Sequence, residues 1–542
     1  MKLMQCAMVC AAISSAVWLG GCADADPSRT DDAASSQSES VESLQTKGDS
    51  ELRDLPSTAS VDLRTNLGVL SAIAVGANAA AWDHNLIDPG VPDLLEDANI
   101  QVMRYPGGST SDNYHWLSNT PDDPAQGGTD PVANFDAYMS VVERAGARAM
   151  ITVNYGSGTP AEAADWVRYA NLGGRHYRGP VPTYPGASPK GHDYDIRYWE
   201  IGNELYGNGT YGATWEVDHK AHNPTTYANG VVSYSAAMKA VDPSIRIGAV
   251  LTAPGNWPDG QTNVDSPEPW NDTVLPIACS ALDFVSIHWY PQGPTGESDA
   301  DLLASPANGQ ATPVSYTPSI ADMVATLRAK LSQYCGAHAK AVQIMVTETN
   351  SVSYNPGKQT TSLVNALFLT DQVLTWLENG VSNVDWWAIH NSPFDGNNDP
   401  ALYGNYDFGD YGILSRGLTS ENGALEPPAE TPFPAYYGLQ MLARLGHSSR
   451  SQLLAASSST PLIAIHAVKQ VDGKVNALLL NKSPSDTYTV SVTLKGGSAR
   501  GLARVFSYGK GDPSIRSSAK LVFGASFTTR LGPYSLTTIQ LP

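Results

Sequence analysis

Two glutamates stand where an apolar chain carries charge only at a cost. The segment R-Y-W-E-I-G-N-E-L-Y-G at 197–207 has strand character and holds Asn203-Glu204, and V-T-E-T-N at 346–350 places Glu348 at the end of a second apolar run. Two carboxyl groups facing one another can cleave a glycosidic bond. One protonates the leaving oxygen while the other attacks the anomeric carbon or activates water. A gap of ~5–5.5 Å gives retention of configuration, and roughly 6.5–9.5 Å gives inversion. Sequence spacing leaves both open, and each glutamate taken alone also suits an ordinary ion pair. Side chains alternate along a strand, so Glu200 shares a side with Glu204 and needs a buried cation such as Arg104 or His288. The same alternation turns Asn203 away. The strand must therefore bend at Gly202-Asn203 if both Asn203 and Glu204 are to face a substrate.

Rival chemistries find less support. The chain has no H-E-x-x-H or H-x-H metal pattern and no G-x-S-x-G nucleophile turn. D-G-N-N-D-P at 395–400 begins like a calcium loop, but Pro400 replaces the required glycine and Tyr406 stands where the closing glutamate belongs. No glycine-rich phosphate loop follows the first strand, which argues against an open doubly wound sheet, and cleavage by a carboxylate pair needs no metal or organic cofactor.

The elements that must hold these residues follow from the pattern of apolar runs. Strands are predicted at 71–78, 101–105, 148–154, 196–203, 245–251, 283–288, 342–347 and 383–389. Helix signals lie between them. Asp130-Pro131 opens one ending near Gly146, Thr159-Pro160-Ala161-Glu162 is a capping box, and Asn223-Pro224 opens a third. Eight strands alternating with helices or long loops predict a (β/α)₈ barrel, α/β in class, closing near residue 445. Residues 446–542 change to alternating runs separated by turns and predict an antiparallel β-sandwich. In such a barrel the chemistry belongs at the C-terminal strand ends. Those ends carry Arg104, Asn154, Asn203-Glu204, His288-Trp289-Tyr290, Glu348 and His390-Asn391. The histidines also suit structural hydrogen bonds, and Trp386-Trp387 suits a core, with Trp387 kept as a candidate sugar platform.

The Asn-Glu pair and the second glutamate resemble those of the retaining (β/α)₈ glycoside hydrolases of clan A. R-Y-P-G-G at 104–108, V-N-Y-G-S-G-T-P-A-E-A-A-D-W-V-R-Y-A-N at 153–171 and W-E-I-G-N-E at 199–204 are similar to family 51, whose members are mainly α-L-arabinofuranosidases with a trailing β-sandwich. The resemblance covers roughly residues 60–540. It implies Glu204 as acid/base, Glu348 as nucleophile and Asn203 on the sugar 2-hydroxyl. It further implies Tyr290 beside the nucleophile, with His288 and Arg104 in support. The chain departs from the family pattern in three places: Ser109 follows P-G-G in place of Asn, T-E-T-N replaces D-E-W-N, and Asn78 stands where the first strand commonly delivers a sugar-binding glutamate. These departures leave a β-xylosidase or an endo-acting glucanase or xylanase as alternatives, with a non-catalytic glycan-binding protein behind them.

The chain has 542 residues with a net charge of −20 and a pI near 4.8. That gives no general attraction to nucleic acid or anionic lipid. The expected partner is a polysaccharide or oligosaccharide, and the oligomeric state stays open. Residues 1–22 read as an export signal: Lys2, an apolar run from Leu3 to Leu19, then Leu-Gly-Gly-Cys22, which resembles a lipoprotein cleavage site with Cys22 lipidated. An N-terminal lipid on Cys22 is the membrane contact expected, with plain secretion as the alternative. Residues 23–57 are poor in large apolar side chains and read as a tether, with 58–445 as the barrel. Cys279 and Cys335 remain, and a bridge and two separate thiols are both open.

Overall fold

The computed structural model describes residues 53–542 apart from 125–127, 208–215, 257, 261–266, 295, 305–317, 396–406 and 447–448. Cys22, the signal region and the tether up to Leu52 lie outside the described residues, as does the acidic loop from Gly396 onward.

The eight strands predicted for the barrel are all present: Val75–Asn78, Val102–Tyr105, Arg148–Val153, Tyr198–Ile201, Arg246–Val250, Phe284–Trp289, Gln343–Thr349 and Asn383–Trp386. Each pairs in parallel with its predecessor, and the eighth pairs with the first, so the sheet closes. Ile73, Val102, Met150, Phe284 and Met345 form a separate apolar cluster at the barrel strands.

Thr159 and Asn223 cap their helices as read, accepting from the backbone N–H of Glu162 and Thr226. Asp130-Pro131 does not open a helix. Asp130 accepts instead from Val132 N, and the helix is Phe135–Arg144 with Asn134 as its cap.

The second domain is built from both ends of the described chain, which corrects the expected boundaries. Asp54–Val69 is not tether followed by barrel. It pairs antiparallel with Gln452–Ser458 and parallel with Thr487–Lys495, inside a nine-stranded sheet. The otherwise antiparallel sheet ends on Arg516–Gly524 and Ser526–Leu531, two strands adjacent in the chain, and encloses its own core around Val61, Leu479, Val490 and Ile539.

A buried charge cluster ties this sheet to the barrel. Asp371, on helix Leu363–Glu378, accepts from Lys482 Nζ at 2.9 Å and pairs with His466 Nε2 at 2.9 Å, while His466 Nδ1 meets Glu378 at 2.8 Å. Cys279 and Cys335 are joined in a disulfide, with their Cα atoms 5.4 Å apart.

Candidate active site

The fourth strand stops at Ile201, and Gly202 then turns the chain with φ +73°. A Cβ there would sit 2.4 Å from Leu205 Cδ2, so glycine is required both sterically and conformationally. Glu204 itself has φ +44°, a costly conformation for a side-chain-bearing residue that surrounding contacts must hold. This is the bend that lets neighbouring Asn203 and Glu204 both turn to the barrel mouth. Asp112 fixes it, accepting from Asn203 N at 2.7 Å and from Tyr155 N and Gly156 N at 3.0 and 3.1 Å.

Arg104 organises the floor of the site. It is fully buried and donates through Nε to Glu200 (2.8 Å), through Nη1 to Asn78 (2.9 Å) and Glu348 (3.2 Å), and through Nη2 to Asn203 Oδ1 (2.8 Å). Glu200 also accepts from Thr152 and Thr347 hydroxyls. Burial works to raise its pKa, but the Arg104 charge, with His288 and the hydroxyl donors, outweighs burial and holds it below the ordinary value. Glu200 is thus the buried partner that the sequence required.

Above this floor, Glu348 accepts from Tyr290 Oη at 2.6 Å, and His288 Nδ1 lies 2.7 Å from Glu204 Oε1. His288 Nε2 has no partner among the described residues. Glu204, His288 and Glu348 each offer an atom within 4.8 Å of the others. The nearest oxygens of the two carboxylates therefore lie on the short side of the separations that distinguish retention from inversion. Burial raises the pKa of Glu348; His288 opposes this, Glu204 adds to it, and Arg104 and Tyr290 pull the other way, leaving it raised. Those three atoms could also face a cation, but the guanidinium 3.2 Å from Glu348 already supplies the positive charge.

Some sequence-predicted residues take other places. Asn78 is 1% exposed, spends both amide hydrogens on Thr347 O and Trp386 O, and accepts from Arg104. It supports the arginine and is not presented to a sugar. Asn154 is also corrected. Its amide bonds Tyr114 O, Ser157 Oγ, Ser157 N and Gly158 N, which saturates it within its own loop and against Tyr114. His390 is buried between Asp83 and Glu430. Trp386 is core, whereas Trp387 is half-buried with its ring edge against Gly108.

Asp112, Tyr206 and Glu216 carry no sequence signal that would have found them. Tyr206 is hydrogen-bonded to Glu204. Glu216 is 2% exposed, accepts from Ser109 Oγ at 2.8 Å and lies 3.5 Å from Asn203 Nδ2. Burial, then Asp112 and Glu204, push its carboxyl well above the ordinary range. Ser109, the departure from the family pattern, is therefore one half of a hydrogen-bonded unit with Glu216.

No protein-family model matches the chain. Among curated proteins it is 29% identical over 226 residues to a probable α-L-arabinofuranosidase C of Aspergillus fumigatus, a match covering 39% of this chain and 42% of that protein. It is 28% identical over 226 residues to an intracellular exo-α-(1→5)-L-arabinofuranosidase of Acetivibrio thermocellus, over 40% and 41% of the two chains. The matched stretch is thus about two fifths of the curated relatives' length. Among solved structures, the α-L-arabinofuranosidase of Thermotoga maritima in complex with arabinose superposes with a TM-score of 0.65 at 19% identity, covering 89% of this chain and 99% of that one. A family 51 α-L-arabinofuranosidase from Thermotoga petrophila gives 0.64 at 18%, covering 90% and 100%. At such identities the structural likeness concerns the fold. Over that stretch the chain is similar in sequence to α-L-arabinofuranosidases, and over nearly all of its described length it shares the fold of family 51 members.

Proposed function

We propose that the chain is a retaining glycoside hydrolase that removes α-L-arabinofuranosyl groups from plant-type polysaccharide. The observation that carries this is the pairing of Glu204 and Glu348 within 4.8 Å, one held by His288 and the other by Arg104 and Tyr290. The first step forms a bond from a Glu348 oxygen to the anomeric carbon while Glu204 gives its proton to the departing oxygen. The charge on Glu348 favours a proton on Glu204. Once Glu348 is an ester that charge is gone, and Glu204 takes a proton from the incoming water, which releases the sugar. Asn203, turned to the mouth beside Glu204, supplies an amide N–H for the sugar 2-hydroxyl. The sugar assignment draws on the two curated relatives described above, both named arabinofuranosidases.

The test is a panel of aryl arabinofuranosides, xylosides and glucosides with wild type and Glu204→Ala. The reading expects turnover of the arabinofuranoside, and recovery of Glu204→Ala by added azide on activated substrates. Turnover of xyloside or glucoside alone would overturn the sugar assignment. A second reading, endo-glucanase or xylanase action, is favoured by the likeness of fold to CelM2, a bifunctional glucanase-xylanase, with a TM-score of 0.61 at 17% identity. Release of oligosaccharides in place of single sugars from a polymer would select it.

We also propose export with Cys22 lipidated. The signal-like N-terminus and the Cys279–Cys335 bond, which suits an oxidising compartment, support this, although the Acetivibrio relative is named intracellular. Labelled fatty acid should enter the protein and be lost with Cys22→Ala; label retained in that variant would contradict it.

A further inference from the structure

The sheet domain carries a surface that the hydrolase chemistry does not use. On the hairpin of Ala499–Gly509 and Arg516–Gly524, Leu502 stands opposite Leu521, and Arg500 stands opposite Phe523. The strand pleat puts Arg500, Leu502 and Arg504 on one face with Leu521 and Phe523. Leu502, Leu521 and Phe523 are 63%, 59% and 57% exposed, the largest apolar side chains so open on this sheet. The Arg500 guanidinium lies 5.9 Å from the Phe523 ring centre, and neither Arg500 nor Arg504 joins an ion pair among the described residues.

The chain segment that carries them is opposite in charge to the molecule as a whole. The whole chain has 33 Lys or Arg against 53 Asp or Glu, whereas residues 496–542 have six Lys or Arg and one Asp. Counter-ions screen the acidic remainder beyond about 8–10 Å, so a surface touching this face meets the local basic charge. Protruding leucines and phenylalanine flanked by arginines are the side-chain mixture that enters a bilayer interface, with arginine at the headgroups. A sugar chain would stack on flat aromatic faces, and of the three apolar residues only Phe523 offers one.

We propose that this face docks on an anionic phospholipid surface. The proposal rests in part on the lipidated Cys22 proposed above. Some 30 residues separate Cys22 from Asp54, which enters the same sheet beside Arg530. A lipid on Cys22 would thus join the chain to a membrane within some 30 residues of this sheet. That lipid would supply one membrane contact, and this face supplies a second.

The test uses the chain from Ala23 onward, which keeps the compact unit Arg53–Pro542 and has neither signal nor lipid. Co-sedimentation is measured with vesicles of phosphatidylcholine alone and of phosphatidylcholine with about one third phosphatidylglycerol. Binding is expected only to the anionic vesicles, weakening with salt. A Leu502→Ser/Leu521→Ser/Phe523→Ser variant is expected to bind about tenfold less while hydrolysing a soluble aryl glycoside at the parent rate. Equal binding of variant and parent would overturn the proposal, as would no binding to anionic vesicles. Retention by an acidic polysaccharide without vesicle binding would overturn it in favour of a polymer surface. Because lipid is absent from this protein, failure here is separate from failure of lipidation at Cys22, which the fatty-acid label reads.

Discussion

Replacing Arg104 by methionine removes four buried hydrogen bonds at once, to Glu200, Asn78, Glu348 and Asn203. The main loss is the cation facing Glu200, whose side chain has no exposed surface. Breaking a buried pair by deleting one partner costs about 3–5 kcal/mol, because the remaining charge is left in a poorly solvating interior. The sign with pH is fixed by Glu200. Its folded pKa is depressed in the parent, so its contribution is present above the unfolded carboxylate value near 4.5 and is lost as pH falls through the folded one. The difference between parent and variant is therefore expected to be about 3–5 kcal/mol at pH 7 and to shrink on acidification. Urea unfolding at several pH values measures it. Glu348 and Asn203 lose a donor together, so kcat on an aryl glycoside should fall about 10²–10³-fold, as on removal of a preorganised donor. Arg104→Lys keeps the charge but cannot fork to three sides. It should recover part of the stability while kcat stays low. A methionine variant within about 1 kcal/mol of the parent at pH 7, or within threefold in kcat, would refute this account of the floor.

Other expectations follow from the same reasoning. Gly202→Ala meets Leu205 Cδ2 at 2.4 Å and pays about 1–2 kcal/mol for its positive φ, so kcat should fall at least tenfold while unfolding shifts only modestly. Retained kcat would show that the bend at Gly202 does not position Glu204. Glu216, pushed toward its neutral form by burial, should tolerate Glu216→Gln within about threefold in kcat/KM, whereas Glu216→Ala, which strips Ser109 of its acceptor, should lose more; equal losses would contradict a neutral Glu216. His466 is desolvated, but Glu378 and Asp371 raise its pKa to about 10. Its stabilising contribution is therefore full below about 6.5 and disappears as pH rises through 10. The cost of His466→Gln in urea unfolding should be larger at pH 6 than at pH 10, and a flat difference would contradict the charged junction.

The barrel was legible because each strand is a short apolar run between helices punctuated by capping residues such as Thr159 and Asn223. Asp54–Val69 was not, since its partners lie some 400 residues away, Ala59 opposite Ser458, and its polar outer positions resemble a tether. Glu204 and Glu348 were legible as carboxylates at strand ends, and Glu200 as a charge needing a partner. Asn78 and Asn154 sit at strand ends too, but an amide is equally suited to bridging backbone groups, and neighbouring strands claim the first while its own loop and Tyr114 claim the second. Asp112 and Glu216 come from segments without a periodic pattern, and only the packed structure brings them to Asn203.

The account turns on two carboxylates close enough for a covalent intermediate. Proton NMR of the first sugar released from an aryl α-L-arabinofuranoside, recorded before mutarotation, tests this most directly. Retention requires the α-anomer to appear first, with the β-anomer following only as solution equilibrium is reached. Initial formation of the β-anomer would mean direct attack by water across a wider gap, and would contradict Glu348 as the nucleophile.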